Sequence, residues 1–365
     1  MKQSDRINIL ADGAETYDHM LQAIASARSY ILFANYCFRE GQAMHTFSRA
    51  LQQAARRGVE VYILADRHGS SDIAPETVHE LKQAGAHWLW FRPFSKKSPW
   101  SYNRRLHKKI LVIDGKLGFL GGIGVADFWL RPSSGYPSPW RDMHFRVTGP
   151  VVTSLAVSFE QSWRKFSQAK LPQRPRPQLP VGTKIKPITS EPAGKGMTVI
   201  GKTHLRLMSH ARHSIRIASA YFGPDKVMRH ALVSAARKGI KVQLLINGPY
   251  TTHPVAVSAG RHHYHDLLDA GVKIYEYQPT KLHTKMILID KEVASIGSAN
   301  LNFRSAYHDE EFNLIVRDSE LISALHRRFN NDLKQSQPVK LEQWINRGKK
   351  EQLKHHISSA GRYFF

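Results

Sequence analysis

Short continuous apolar runs, each closed by an aspartate, stand out in the pattern of hydrophobic and polar positions. Ile110–Ile113 reads ILVI before Asp114, and Met286–Ile289 reads MILI before Asp290. Apolar residues at every position, rather than at alternate positions, are typical of strands that are buried on both faces of a sheet. The two runs therefore predict two central strands, one in each half of the chain.

Helices and further strands follow in the same order in both halves. Ala50–Val59 and Ala231–Ile240 each read as a helix that ends with two basic residues and a glycine, a combination that favours a helix C-terminus. Apolar runs come next at Val61–Ala65 and Val242–Ile246. Strand and helix thus alternate in each half, which predicts an α/β protein built from two similar α-β-α sandwich lobes.

The two apolar runs belong to a longer motif that occurs twice. The motif has the form H-x-K-x-x-x-x-D, and its six residues are His107, Lys109, Asp114, His283, Lys285 and Asp290. Residues Leu106–Gly121 align without a gap with Leu282–Gly297, so the motif, its strand and a glycine turn are repeated together. This joint repetition argues against a chance match, and we assign the motif as catalytic.

The spacing within the motif separates two kinds of role. Side chains alternate along a strand, so the histidine and the lysine, two residues apart, share one face, whereas the aspartate, seven residues from the histidine, points to the other. We therefore expect the histidine and lysine to do chemistry and the aspartate to anchor structure. An imidazole beside a fixed ammonium suits a phosphate ester, whose oxygens the lysine would hold.

Composition and charge narrow the class of protein. The 365 residues allow about two domains, and the single cysteine, Cys37, excludes an internal disulfide and fits a reducing compartment. The formal net charge of +24 predicts an anionic partner: nucleic acid, an acidic membrane surface, or an anionic substrate held on one. No signal peptide is evident after Met1, and no apolar run approaches the ~20 residues of a membrane-spanning helix, so we expect a soluble or peripheral protein.

Composition also divides the chain into segments. We expect a first lobe at residues 1–169, a proline-rich linker at 170–195, a second lobe at 196–335 and a basic C-terminal tail at 336–365. The tail contains an amphipathic candidate helix at Leu341–His355. A frayed end and an interfacial membrane anchor are both open for this segment.

The paired motifs, their glycine turns and the α/β duplication resemble the phospholipase D superfamily, and within it the short bacterial cardiolipin synthases without transmembrane helices. The resemblance covers about residues 5–335 and includes the turns Phe119–Ile123 and Ile296–Leu301. It implies two phospholipase D-like lobes with the active site at their pseudo-twofold interface. The chain departs from the family pattern at Gly124, where the family usually has Asn, and at Asn302, where it usually has Asp.

The resemblance also implies roles for the motif residues. One imidazole attacks phosphorus and forms a phosphohistidine, while the other protonates the departing alkoxide and later deprotonates the incoming alcohol or water. It assigns His107 as the nucleophile and His283 as the acid/base, although the near-equivalence of the lobes leaves that order open. Lys109 and Lys285 would clamp the non-bridging oxygens, so no metal or other cofactor is implied.

Further site residues follow from the same resemblance. Asn300 and Ser298, in the second glycine turn, would donate hydrogen bonds to the phosphate. Glu311 and Asp142 would each orient a histidine, as a carboxylate does in other catalytic units with an activating imidazole.

The implied function is phosphatidyl transfer that forms cardiolipin from phosphatidylglycerol, on the cytoplasmic face of the bacterial inner membrane. A phospholipase D hydrolase and a phosphodiesterase acting on nucleic acid are the alternatives. Residues Trp88–Arg105 interleave aromatic and basic side chains just before His107. This composition suits contact with an anionic phospholipid membrane, and it also suits stacking on single-stranded nucleic acid.

Overall fold

The computed structural model describes residues 5–92, 103–168, 171–172, 184–192 and 196–348. These residues form two lobes, each built on one mixed β-sheet. The aromatic and basic residues at 93–102 and the end of the predicted tail, from residue 349 onward, lie outside the described ranges.

The first lobe contains seven strands and four α-helices among its described residues. The strands are β1 (Arg6–Leu10), β2 (Tyr30–Asn35), β3 (Glu60–Asp66), β4 (His87–Phe91), β5 (Ile110–Ile113), β6 (Leu117–Gly121) and β7 (His144–Thr148). The helices are α1 (Gly13–Ser26), α2 (Gln42–Arg56), α3 (Pro75–Gln83) and α4 (Val151–Trp163). The strand order is β1-β7-β6-β5-β2-β3-β4, in which β2, β3 and β4 are parallel and the other pairs are antiparallel.

The second lobe repeats this arrangement and adds one strand. The strands are β8 (Ile185–Ser190), β9 (Ser214–Ser219), β10 (Lys241–Asn247), β11 (Lys273–Tyr277), β12 (Lys285–Ile289), β13 (Val293–Gly297), β14 (Glu311–Val316) and β15 (Ser336–Val339). The helices are α5 (Val199–Ser209), α6 (Lys226–Arg237), α7 (Pro254–Arg261), α8 (Tyr264–Asp269), α9 (Phe303–Tyr307), α10 (Ser319–Lys334) and α11 (Leu341–Ile345).

The order of the second sheet, β15-β11-β10-β9-β12-β13-β14-β8, matches the first strand for strand once β15 is set aside. Both motif strands, β5 and β12, lie at the centre of their sheets and every residue in them is buried. The predicted duplication of an α/β sandwich is confirmed.

Two edge strands fall where the sequence predicts a linker and a tail. Residues Ile185–Ser190, within the predicted linker, form β8, and Ser336–Val339, within the predicted tail, form β15. Each strand contains a proline, Pro187 and Pro338, and each lies at an edge of the sheet. An edge strand tolerates proline because the missing N–H can face away from the ladder, so proline content misled the sequence-based reading here.

The two lobes share an inner apolar core. Val152 and Phe159 of α4 and Leu325 and Phe329 of α10 belong to one buried cluster. The cluster also includes strand residues of both sheets, such as Val112 of β5 and Leu288 of β12. Two further clusters are each confined to one lobe, on the outer side of its sheet. The shared core fixes the lobes against each other and thereby fixes the starts of β5 and β12.

The motif aspartates hold the two central strands to their neighbours. Asp114 accepts hydrogen bonds from the backbone N–H groups of Arg28, Ser29 and Tyr30 at 2.8–3.0 Å, at the start of β2. Asp290 does the same in the second lobe. These carboxylates therefore point away from the histidines, and we infer that they anchor structure and belong outside the reacting group of the motif.

We predict that Asp290→Ala lowers the free energy of unfolding by about 2–4 kcal/mol, measured by urea denaturation. The substitution removes the acceptor for three backbone N–H groups. It also places alanine at φ +54°, a left-handed conformation that aspartate and asparagine tolerate better. Asp290→Asn is the matched control, since it keeps one acceptor oxygen and the tolerance of positive φ, and should lose less than half as much. Equal losses in the two variants would contradict this account.

Candidate active site

The segments just before the two motif strands cross between the lobes. Leu106, in the first lobe, pairs with Glu310 of the second in a short parallel bridge, and Leu282 pairs in the same way with Arg141 of the first. The N–H of His107 donates to the carbonyl of Glu310 at 2.8 Å, which fixes the backbone at the histidine. Each motif is thus attached to the segment that carries the other lobe's carboxylate.

Each histidine is hydrogen-bonded to a carboxylate from the opposite lobe. Nδ1 of His107 lies 2.9 and 3.0 Å from the two oxygens of Glu311. Nδ1 of His283 lies 2.6 Å from Oδ2 of Asp142. All four side chains are buried. Because a carboxylate accepts, His107 carries its ring proton on Nδ1 and presents Nε2 to the site. Nδ1 of His283 contacts both Asp142 and Nζ of Lys285, the latter at 2.9 Å, so its Nε2 likewise faces the site.

Glu311 has strong local support. Ser298 Oγ donates to its Oε2 at 2.5 Å, and Ser305 Oγ donates to its Oε1 at 2.6 Å. Burial alone would raise the pKa of Glu311, but the charge and hydrogen bond of His107, together with Lys109 and Ser298, hold it at about 2. Glu311 is therefore an ionised acceptor throughout the physiological pH range.

Asp142 has weaker support. It accepts from the indole Nε1 of Trp129 at 3.3 Å and from the N–H of Met143 at 2.8 Å. Gly122 takes the place that Ser298 has in the second lobe, and a Cβ there would lie 2.2 Å from Oδ1 of Asp142. Burial raises the pKa of Asp142 to about 6. The two carboxylates, equivalent by the repeat, thus differ in how firmly each holds its negative charge.

The motif lysines are buried beside their histidines. Nζ of Lys109 donates to the carbonyl of His107 at 2.8 Å, and Nζ of Lys285 donates to the carbonyl of His283. Burial lowers the pKa of Lys109 to about 8 and that of Lys285 to about 7. An anion in the site would restore the charge of both, so the pair is suited to binding phosphate oxygens.

The two imidazoles also differ in their environments. Burial lowers the pKa of His107, and Glu311 opposes this effect. Burial lowers the pKa of His283 well below its usual value, and the ammonium groups of Lys285 and Lys281 lower it further. Without a bound anion both rings are therefore neutral, and a negatively charged phosphodiester would favour a proton on His283.

Comparison with known protein families identifies this arrangement. The family model described as cardiolipin synthase, phospholipase D-like domain, matches residues 20–127 and 204–333, which carry both motifs. The chain belongs to the cardiolipin synthase family of phospholipase D-like proteins. It is accordingly an enzyme of the phospholipase D-type phosphatidyltransferase class.

Individual relatives agree with the family match. The chain is 33% identical to a cardiolipin synthase of Halalkalibacterium halodurans, over 94% of this chain and 69% of that protein. It is 32% identical to cardiolipin synthase 1 of Staphylococcus aureus, over 95% of this chain and 71% of the relative. A phosphatidylserine synthase structure from Haemophilus influenzae shares the fold with a TM-score of 0.77 at 13% identity, covering 98% of this chain and 95% of that one. The resemblance stated from the sequence is confirmed.

Two positions at which the chain departs from the family pattern have clear structural roles. Gly124 leaves no room for a side chain, because a Cβ there would lie 2.7 Å from the carbonyl of Cys37 and 3.0 Å from the ring of Trp129. Asn302 caps helix α9, accepting from the N–H of Ser305 at 2.9 Å. The site is therefore less symmetric than the repeat.

Ser298 and Asn300, the predicted phosphate donors of the second turn, make different contacts. Ser298 carries a single hydroxyl proton and directs it to Glu311, so it supports that carboxylate and is not the predicted phosphate donor. Asn300 is buried, and its Oδ1 accepts from the N–H of Tyr221 at 3.4 Å. Its amide nitrogen has no hydrogen-bond partner among the residues that the structure describes, which leaves it suited to donate to a ligand.

Sequence reasoning missed the aromatic wall around His283. The rings of Trp129 and Trp140 each lie 5.6 Å from its imidazole, and that of Tyr221 lies 6.1 Å away. Among the described residues, the aromatic ring found beside His107 is that of Tyr36, 5.2 Å from its imidazole. Trp140 could have been noticed because it stands two residues before Asp142, whereas Tyr221 reaches the site only through the packing of the second lobe.

We predict that sulfate protects the protein against heat more strongly at about pH 6 than at about pH 9, because Lys285 and Lys109 lose their protons over this range. Their pKa values are lowered, so the cationic form that binds the anion is present at low pH and lost as pH rises through about 7 to 8. Sulfate keeps its own charge in this range. The measurement is the rise in melting temperature at a fixed sulfate concentration.

Lys285→Arg is the control for this measurement, since an arginine stays charged and should preserve protection at high pH. A double variant, Lys109→Met with Lys285→Met, reports the contribution of the remaining basic residues. If the pH dependence persists in the double variant, it arises elsewhere on this basic protein.

Proposed function

We propose that this enzyme transfers a phosphatidyl group from one phosphatidylglycerol to the glycerol hydroxyl of another, and releases cardiolipin and glycerol. The reaction proceeds through a phosphohistidine on His107, with His283 as the acid/base. The observation that carries the proposal is the pair of crossed histidine–carboxylate contacts, whose carboxylates differ in pKa as the two roles require. The family membership and the named relatives support the transferase class.

His107 is suited to attack because its partner is a permanent carboxylate. Glu311 keeps the proton on Nδ1, so the lone pair of Nε2 is available for phosphorus. The attack forms an N–P bond as the bond from phosphorus to the leaving glycerol oxygen breaks. That oxygen takes a proton from Nε2 of His283.

His283 is suited to exchange protons because the pKa of its partner, Asp142, lies near neutral pH. Asp142 has a pKa of about 6 and contacts Nδ1, so the pair accommodates both the neutral and the protonated imidazole. The bound phosphodiester supplies the negative charge that the buried ring otherwise lacks. In the second step, Nε2 takes the proton of the incoming hydroxyl, the new O–P bond forms, and the N–P electrons return to His107.

The hydroxyl that attacks the phosphohistidine in the second step decides whether the product is cardiolipin or phosphatidic acid. Trp129, Trp140 and Tyr221 line the side of His283 on which the acceptor arrives, and their rings exclude water from that side. A lipid headgroup that is bound and oriented there competes with water at a high effective concentration. These features favour transfer over hydrolysis.

The setting we propose is peripheral contact with an anionic phospholipid membrane, at the cytoplasmic face. The net charge of +24 supports it. Among the described residues, no helix has both the length and the apolar character to cross a bilayer. We further propose that turnover needs no metal, because the two lysines supply the positive charge at phosphorus. The charge would also permit nucleic acid binding.

We predict that phosphatidylglycerol vesicles yield cardiolipin and glycerol in equal amounts, with little phosphatidic acid. His107→Ala and His283→Ala should each lower this turnover by about a thousandfold or more, since the two imidazoles act in sequence on one phosphorus. Products are separated by chromatography and quantified by mass spectrometry.

The distribution of products discriminates among the functions. A predominance of phosphatidic acid would make the enzyme a hydrolase. Cleavage of single-stranded DNA without lipid turnover would make it a nuclease. Substantial turnover in either histidine variant would overturn the two-histidine mechanism.

We predict that the protein sediments with phosphatidylglycerol vesicles and that this binding falls steeply as salt rises. Each basic residue near an acidic surface contributes on the order of 1 kcal/mol, and salt screens that contribution. Vesicles of phosphatidylcholine alone are the control and should bind far less protein. Equal binding to the two kinds of vesicle would contradict an electrostatic contact.

A further inference from the structure

Lys281 is a buried cation beside the active site that the mechanism above leaves unused. It stands two residues before His283 and its residue exposure is 0%. Its Nζ donates to the hydroxyl of Tyr221 at 2.8 Å and to that of Thr252 at 2.6 Å. The same Nζ lies 3.7 Å from the centre of the Trp140 ring, a cation–π contact.

The ammonium of Lys281 has polar neighbours but no negative one. No carboxylate among the residues that the structure describes lies within ion-pair distance of its Nζ. Lys108, which is equally buried, provides the contrast, because it lies 3.4 Å from Glu310 and 3.6 Å from Glu191. Burying a cation without an opposite charge is costly, so a structural role accounts for Lys108 and not for Lys281.

Lys281 and His283 lie against the same two aromatic rings. Trp140 is 3.7 Å from the ammonium and 5.6 Å from the imidazole, measured to the ring centre. Tyr221 is 5.0 Å from the ammonium and 6.1 Å from the imidazole. The ammonium therefore lies on the acid/base side of the site, apart from the lysines that contact the motif backbone.

We propose that Lys281, with Tyr221 and Thr252, binds the phosphate of the acceptor phospholipid while His283 activates the acceptor's hydroxyl. The inference rests on the proposed function, because it assumes that His283 receives the acceptor. A phosphatidylglycerol acceptor carries its own phosphodiester one glycerol unit away from the attacking hydroxyl. An anionic group at that distance needs a cation of its own, since Lys109 and Lys285 serve the phosphorus that reacts.

The hydroxyls that now contact the ammonium mark where phosphate oxygens would bind. A phosphodiester oxygen is a stronger acceptor for an ammonium than a neutral hydroxyl, because it carries charge. Tyr221 is partly buried and Thr252 is exposed, so this end of the aromatic wall faces the outside. Burial and the neighbouring Lys285 lower the pKa of Lys281, and a bound anion would raise it again.

The experiment compares two acceptors that share one donor. Phosphatidylglycerol vesicles are supplied with labelled free glycerol, and both cardiolipin and labelled phosphatidylglycerol are measured. In glycerol exchange, labelled glycerol is the acceptor and labelled phosphatidylglycerol is the product. This reaction requires the donor site and both histidines, but its acceptor carries no phosphate. Lys281→Met should therefore lower the ratio of cardiolipin formation to glycerol exchange by about tenfold or more, as expected for the loss of a charge-assisted contact.

Two further variants complete the design. Tyr221→Phe keeps the ring beside His283 and removes the hydroxyl that holds the ammonium, so the ratio should fall in the same direction by less; it carries the test if Lys281→Met fails to fold. Lys238→Met removes one charge from the exposed end of α6 and should leave the ratio unchanged.

The outcomes separate this inference from the proposed function. A lower ratio in both site variants supports acceptor recognition by Lys281. An unchanged ratio, with both reactions lowered together or unaffected, overturns it while the transferase function stands. If the unmodified enzyme forms neither product, the proposed function fails and the inference falls with it.

Discussion

Neither lobe of this protein contains a complete histidine–carboxylate unit, and the rest of the site depends on that fact. His107 takes its partner, Glu311, from the second lobe, and His283 takes Asp142 from the first. The backbone bridges beside each histidine and the shared apolar core hold the two contacts in place. The packing of the lobes therefore controls the chemistry of the site, because a shift of one lobe against the other would separate both imidazoles from their carboxylates.

The duplication provides the frame, and small departures from it make the two histidine–carboxylate pairs unequal. Ser298 gives Glu311 a donor, while Gly122 at the equivalent position gives Asp142 none. Trp129 and Ser305 stand the same number of residues beyond their glycine turns, and each donates to its own lobe's carboxylate, at 3.3 and 2.6 Å. The contacts of His107, Lys109 and Ser298 keep Glu311 firmly ionised, whereas burial leaves Asp142 more easily protonated.

The motif strands and the duplication could be predicted from the sequence, because continuous apolar runs and a gapless repeat do not depend on the details of packing. It could not reveal the crossing of the lobes, since strand periodicity assigns faces within a sheet and says nothing of which lobe supplies a partner. The sequence also does not show that the hydroxyl proton of Ser298 is directed to Glu311, thirteen positions away in the same lobe, so its role as a phosphate donor was expected instead. Strand β8 was missed because proline argues against strands in general but not against strands at an edge.

Because each histidine takes its carboxylate from the other lobe, the site is incomplete while the chain is being synthesised. A ribosome releases the first lobe before the second exists, and that half carries His107 without a carboxylate to hold its tautomer. On the proposed mechanism, we expect a nascent or truncated chain to be inert toward the phospholipids around it, with no separate inhibitor required. The same partition implies that two complementary halves, produced as separate polypeptides, would regain the site only by associating, so completeness of the molecule is itself the condition for reactivity.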